Sequence, residues 1–418
     1  GQDDTFTFNE SLTSSNTSIT LNAANIITLS EDVLAASDLT ISNVNGDVNV
    51  GNGVSLTATS GSVTASDNVA LIDLTGTSQN TITAGTNVSL TAITDSGAVT
   101  ELEVNADDDI TLSTVELNAL ATSILDIDLD EDGGGGTLSA SNLTAGAITV
   151  DGTGQDDTFT FNESLTSSNT SIALNAANLI DVNANVTAAT ALTISNVNAE
   201  VDIAANINLF AQSGNLTISD NVTLIDLSGT STANELRSTG GTVSLNVTSA
   251  NNNALTITGD VVELNANVSG TSTLLIRPDQ TTTTIGIGGG SGTLNIDDTE
   301  ISRLVDGFSS ITIGRSAGTG AVNIDSAAFT DPLTIVGGET TVNVLSTSQD
   351  NAPIVINTNS ANVTVTGNLT ANGSGNIDIN SGAGFTLSDG INLASTSGDI
   401  TVDTTGANNL TINGTTQT

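Results

Sequence analysis

Short apolar segments recur every seven or eight residues along this chain, and that spacing leaves few folds open. Residues 38–75 read DLTISNVNGDVNVGNGVSLTATSGSVTASDNVALIDLT, with apolar centres at Ile41, Val48, Leu56, Val63 and Leu71. Each centre lies in an alternating segment such as L-T-I or V-N-V, and Asn, Gly, Asp or Ser fills each gap. Alternation with period two marks a half-buried strand, and the gap residues are turn formers. No apolar pattern of helical period is long enough for a helix; Ala-rich stretches such as 117–123 come nearest. Strands this short and even suit a sandwich, a barrel or a solenoid. The pattern persists over 418 residues without a linker, well beyond one sandwich core, and aromatics make up only 2% of the chain. The expectation is an all-β, right-handed parallel β-helix (β-solenoid) of about 20–22 residues per coil, hence about nineteen coils. Val, Ile, Leu and Ala would fill its interior. Thr and Asn would stack on like residues one coil away, with Asn at left-handed corners.

A longer repeat is superposed on the short one. GQDDTFTFNESLTSSNTSI at 1–19 recurs letter for letter at 154–172. Without gaps, 1–78 matches 154–231 at 52 of 78 positions, a constant offset of 153. The copies realign at VELNA (115–119 and 262–266) and at GGGGTL (133–138) against GGSGTL (289–294). This divides the chain into a first long repeat, 1–153, a second, 154–301, and a diverged continuation of the same solenoid, 302–418. Only Pro278, Pro332 and Pro353 occur, each expected at a turn or strand edge.

Composition narrows function. The chain has no Cys, His, Met, Trp, Tyr or Lys, and its four cations are Arg237, Arg277, Arg303 and Arg315. Imidazole bases, thiol nucleophiles, ordinary zinc sites, Schiff bases and P-loop lysines are all excluded. Against 46 acidic residues the formal net charge is −42, so nucleic acid and anionic membrane surfaces are repelled and cations attracted. No run approaches the length of a membrane span, so membrane insertion is not expected. Disorder conflicts with 37% apolar content concentrated in β-branched and aliphatic residues. The absence of Cys is compatible with export, and the start at Gly1 reads as that of a processed or partial piece of a longer polypeptide.

Residues 284–337 carry a glycine-rich IGIGGG, then DGFSSITIGR, then a DPLTI strand. That order resembles a recurrent module of filamentous haemagglutinin-like large exoproteins, the long β-strand-repeat adhesins of Gram-negative bacteria and cyanobacteria. The GQDDTFTF openings are similar to the starts of their repeat units. The resemblance implies a β-helical fold, export and a cell-surface or matrix role, and it supplies no catalytic residues.

Four constellations remain to be weighed. Asp-Ile-Asp-Leu-Asp-Glu-Asp-Gly at 126–133 matches, from Asp128, the D-x-D-x-D-G opening of a calcium loop, making Asp128, Asp130 and Asp132 the candidate ligands. Position twelve is Ser139, so a full EF-hand is excluded; the alternative is a strand with Ile127 and Leu129 inward and a solvated acidic face. GTGQDDTF at 152–159 has part of a calcium nonapeptide but stands alone, which favours a turn into the strand 158–161. The glycine runs 133–136 and 288–290 lack a following Lys and read as turns. Asp297 with Asp298, or Asp107 to Asp109, could pair as acid and base for sugar cleavage, but the chain has no Trp or Tyr to stack a sugar.

The reading these features favour is a non-enzymatic, extracellular structural or adhesive protein of the bacterial cell surface, forming a stiff rod or fibre. It needs no cofactor, with calcium as the ion its acidic face would take. Its partners would be a second copy head to tail, flanking repeats of a longer chain, or surface glycans. The Arg residues are expected in ion pairs. Two alternatives stand beside it. One is a carbohydrate-active β-helix enzyme, a polysaccharide lyase or hydrolase. The other is an ice- or mineral-binding solenoid, against which the scattered T-x-T pairs (Thr5–Thr7, Thr57–Thr59, Thr364–Thr366) weigh.

Overall fold

A computed structural model describes residues 4–22, 24–66, 71–129, 134–152, 156–219, 225–228, 233–348, 351–405, 410–413 and 415–417. The chain forms two compact units, one of residues 1–212 with 218–223, the other of 213–217 with 224–418. Both are β-solenoids of parallel strands, with about 17 turns in all.

In the first unit every coil contributes three strands, visited in a fixed order, so that three parallel ladders form. One inward column of the first ladder runs Phe6, Ile27, Val48, Ile72, Ile93, Val115, Leu143, Leu165, Val186, Leu209. The second runs Leu12, Val33, Leu56, Ile82, Val104, Ile127, Val150, Leu174, Ile194. The third runs Ile19, Leu39, Val63, Val88, Ile110, Leu138, Phe159, Ile180, Val201. Beyond the first coil these side chains are almost fully buried. Each such Val, Leu or Ile is worth about 1.5–3 kcal/mol of burial. Outward positions stack as expected: Thr20, Thr40, Thr64, Ser89, Thr111, Ser139 and Thr160 make one hydroxyl column on the third ladder.

The two long-repeat copies do not occupy equivalent places. Phe6 lies on the first ladder and its counterpart Phe159 on the third; Leu12 is on the second and Leu165 on the first. From Phe6, six coils lead to Leu143 and two further faces to Phe159, so 153 residues are six and two-thirds turns. The same sequence therefore serves on any of the three faces, because all three ask for the same in-out alternation.

Coil length varies more than the sequence spacing suggests. Steps along the first ladder are mostly 21–24 residues, but Val115 to Leu143 takes 28. In the second unit the equivalent column is Leu236, Ile257, Ile276, Ile313, Ile335, Ile356, Ile379, Val402, and Ile276 to Ile313 takes 37. These long coils lower the expected nineteen turns.

The 37-residue coil holds a six-residue helix, Asp298–Arg303, where none was expected, while 117–123 forms turns instead. Its signal was present: Asp297 and Glu300 form a capping box, each side chain accepting from the other's backbone N–H. The helix covers a strand edge. Among the described residues no further strand is hydrogen-bonded to the ladder that ends at Val261–Leu264. Glu300 Oε1 accepts from the Leu264 N–H (3.1 Å) and the Arg303 guanidinium donates to the Leu264 carbonyl, which satisfies groups an open edge would leave for another chain. In the same coil Gly288 (φ +58°) and Gly289 (φ +86°) turn the chain. Pro278 follows a strand directly, and Pro332 and Pro353 directly precede one, as expected.

Corners are fastened by Asp and Asn. A side-chain oxygen accepts a backbone N–H from the next coil at Asp32 to Ser55 (2.8 Å), Asp38 to Ser62 (3.1 Å), Asn52 to Thr77 (2.8 Å), Asp73 to Ser96 (2.8 Å) and Asn87 to Asp109 (3.0 Å). The second unit repeats this at Asn362 to Gly384 and Asn376 to Asp399 (both 2.9 Å). Corner asparagines also stack, as Asn43 on Asn22 (3.0 Å) and Asn380 on Asn357 (2.8 Å). Among the described residues, five of seven non-glycine residues with positive φ are Asn: Asn43, Asn196, Asn206, Asn251 and Asn351.

If the corner clamp acts through its acceptor oxygen and not its charge, Asp38→Asn should melt close to the parent chain. Asp38→Ala should lose about 1 kcal/mol. Equal losses in thermal unfolding would show that the charge, not the hydrogen bond, matters at this corner.

Candidate functional site

The calcium candidate is only partly within the described residues: Asp130 and Asp132 lie outside them. Asp128 lies on the strand Ile124–Leu129, with Ile127 and Leu129 buried inward. Its outward row is Asn105, Asp128, Asp151, Asn175, and the parallel row is Thr81, Glu103, Asp126, Thr149. Amides sit among these carboxylates. Gln79 Nε2 and Asn105 Nδ2 donate to Glu103 (2.7 and 2.8 Å), and the Asn175 amide donates to Asp151. Burial, then the charges of Glu101, Glu103 and Asp151, push the Asp126 carboxyl above its usual range. Among the described residues no group of three or more Asp or Glu is arranged to hold a metal ion.

One member of each acid pair suggested for sugar cleavage has a structural task. Asp109 Oδ1 accepts from the Thr137 N–H (3.0 Å), and Asp297 caps the helix. In GTGQDDTF, where 153–155 lie outside the described residues, Asp157 is fully buried and accepts from Gly136 N–H (2.7 Å), leading into the strand Thr158–Phe161. The structure brings together a different acid pair, Asp306 and Asp331. Asp331 is 3% exposed and accepts from Gly307 N–H (3.0 Å). Burial, and the hydrogen-bonded, charged Asp306 beside it, raise its pKa. A groove lined by Ser249, Asn251, Ser269, Thr271 and Asp306 adjoins them. The two are 25 residues apart in sequence, and only the coil register makes them neighbours. The T-x-T pairs stack unevenly: Thr5 is beside Ile26 and Thr57 beside Leu34, whereas Thr7 is beside Thr28 and Thr364 lies between Thr341 and Thr386.

The arginines divide into two kinds. Arg237 pairs with Asp279 (2.8 Å) and Arg277 with Glu235 (3.0 Å), each reaching across two coils. Arg303 and Arg315 instead donate to backbone carbonyls, Arg315 to those of Pro278 (3.3 Å) and Asp279.

Parallel ladders around a continuous aliphatic core define a β-solenoid repeat protein. Compared with known protein families, curated proteins and solved structures, the chain matches none.

The carboxyls of Asp95, Asp126, Asp181, Glu300 and Asp331 are held above their usual range, in every case chiefly by burial. A raised folded pKa means the folded chain holds its proton more tightly than the unfolded one. The stability this gives is complete below the unfolded value of about 4 and is lost as pH rises through the raised one. Self-repulsion at −42 adds in the same direction. The melting temperature should therefore be higher at about pH 5 than at about pH 8. A scanning-calorimetry series that rises toward alkaline pH would contradict this.

Proposed function

We propose that this chain is a non-catalytic structural segment of an extracellular surface or matrix protein, similar in kind to the filamentous haemagglutinin-like exoproteins. The observation that carries the reading is the unbroken first-ladder column from Phe6 to Leu209. Such stacking builds stiffness and leaves little unpaired backbone for proteases. The acidic, hydroxyl-rich exterior suits a large external molecule that must stay hydrated.

The two copies of the repeat opening differ in cover. Phe6 and Phe8 are half-buried, whereas their copies Phe159 and Phe161 are fully buried beneath neighbouring coils. Leu410 and Ile412 are 52% and 48% exposed. The partners of this reading are a second copy head to tail or flanking repeats of a longer chain, and head-to-tail contact that does not close into a ring grows filaments. Negative-stain images of native material should show rods or end-to-end fibres. Compact particles, or turnover of polysaccharides in a panel that includes acidic substrates, would overturn the reading.

The acidic rows, beginning with Asp128 and Asp151, would be bridged by calcium in an external medium. Millimolar calcium should then raise the melting temperature more than sodium at matched ionic strength. Equal rises would reduce the effect to screening.

A further inference from the structure

We propose that the second unit carries a binding pocket for a carboxylate-bearing sugar, a uronate, built around Arg277 and Arg315. The two arginines line one cavity of about 390 Å³ together with Leu275, Thr312, Ser316 and Val336. The coil register creates it. Ile276 pairs with Ile313 and Gly314 with Val336, so Arg277, Gly314 and Val336 follow one another across the sheet. Gly314 has φ +109°, and a Cβ there would fall 1.8 Å from the Val336 carbonyl oxygen. The row of outward side chains is therefore interrupted beside Arg277, and the gap is the pocket.

The hydrogen-bonding of the arginines points to an anion. Three of the chain's four arginines meet in this region with three carboxylates, Asp279, Glu235 and Asp260, the last accepting from the Gln280 N–H (3.4 Å) and from Thr283 Oγ1 (3.0 Å). Asp279 is taken up by Arg237 (Nε 3.2 Å, Nη2 2.8 Å) and by Gln280 Nε2 (2.7 Å). Glu235 accepts from Arg277 Nη2 (3.0 Å) and Thr258 Oγ1 (2.6 Å). Among the described residues Arg315 makes no ion pair: Nη1 alone is engaged, by the Pro278 and Asp279 carbonyls. The Nε and Nη2 donors of Arg315 are thereby left for a ligand. The planar fork of this guanidinium matches a carboxylate.

The position of that guanidinium is fixed in advance. Gly318 N–H closes a turn onto the Arg315 carbonyl (2.8 Å), and Asn359 Nδ2 holds the carbonyls of Ser316 and Gly318 (3.3 Å for the latter). A preset turn lowers the ordering cost of binding. Leu275 and Val336 offer an apolar floor for a sugar-ring face, and Thr312 and Ser316 offer hydroxyls.

Isothermal titration of the full chain with glucuronate, glucose and acetate tests this. Glucuronate should bind saturably, glucose not measurably, and acetate at least about tenfold more weakly than glucuronate. R315Q should weaken glucuronate binding roughly ten- to a hundredfold. R315K, which keeps the charge but loses the fork, should fall between. R303Q, the same charge change outside the pocket, should leave binding unaltered, with unfolding of each variant measured alongside. Equal binding of glucose and glucuronate, or an unaffected R315Q, overturns the site. Acetate binding as tightly as glucuronate overturns the sugar, and an R303Q loss matching that of R315Q overturns the pocket. None of these outcomes bears on the structural reading of the fold.

Discussion

Every coil depends on its neighbour for hydrogen bonds. In a parallel ladder no strand satisfies its own N–H and C=O groups, so a coil becomes stable only as the next is laid on it. At corners the ladder is interrupted, and there the Asp and Asn oxygens take over, as at Asp32, Asp38, Asn52 and Asp73. This accounts for part of the acidity. A corner needs a short side chain carrying an acceptor oxygen, and Asp and Asn meet that need equally. Many acidic residues can thus accumulate without any selection for charge. The repulsion they bring is borne by the stacked core.

The strands and turns were legible because they are local. The in-out alternation at 38–75, the turn residues in its gaps and the three prolines all sit as their chemistry requires. What escaped the sequence is the relation between coils. Coil length depends on how much chain each corner takes up, and 28 or 37 residues fit between ladder positions as readily as 21. The slip of the long repeat by one ladder was illegible for the same reason, since nothing in GQDDTFTF distinguishes one face from another. Asp306 beside Asp331, and Arg277 beside Arg315, follow from register alone. The capping box at Asp297 and Glu300 was readable but lay in a segment whose neighbours are all strands.

The repeat phase has a consequence for surface display. Because 153 residues make six and two-thirds turns, successive copies present the same outward residues on successive faces. Three such copies would make twenty whole turns and restore the phase. A tandem array would thus distribute one surface motif around all sides, whereas an integral repeat would confine it to one stripe.

The choice of cation follows from this geometry. The chain has four Arg and no Lys. Each arginine spans a distance along the solenoid: Arg237 and Arg277 reach partners 42 residues away, and Arg315 and Arg303 reach carbonyls 36 to 39 residues away. A guanidinium can hold two acceptors at once in a fixed plane, as Arg277 holds Thr258 and Glu235 from successive coils. An ammonium, compact and strongly hydrated, would give up more hydration for less directed bonding. In so acidic a surround, a lysine would also be drawn to any nearby carboxylate. Arginine is bound to the acceptors its fork fits, carboxylates for Arg237 and Arg277 and backbone carbonyls for Arg303 and Arg315, and so ties together segments of chain that differ in coil length.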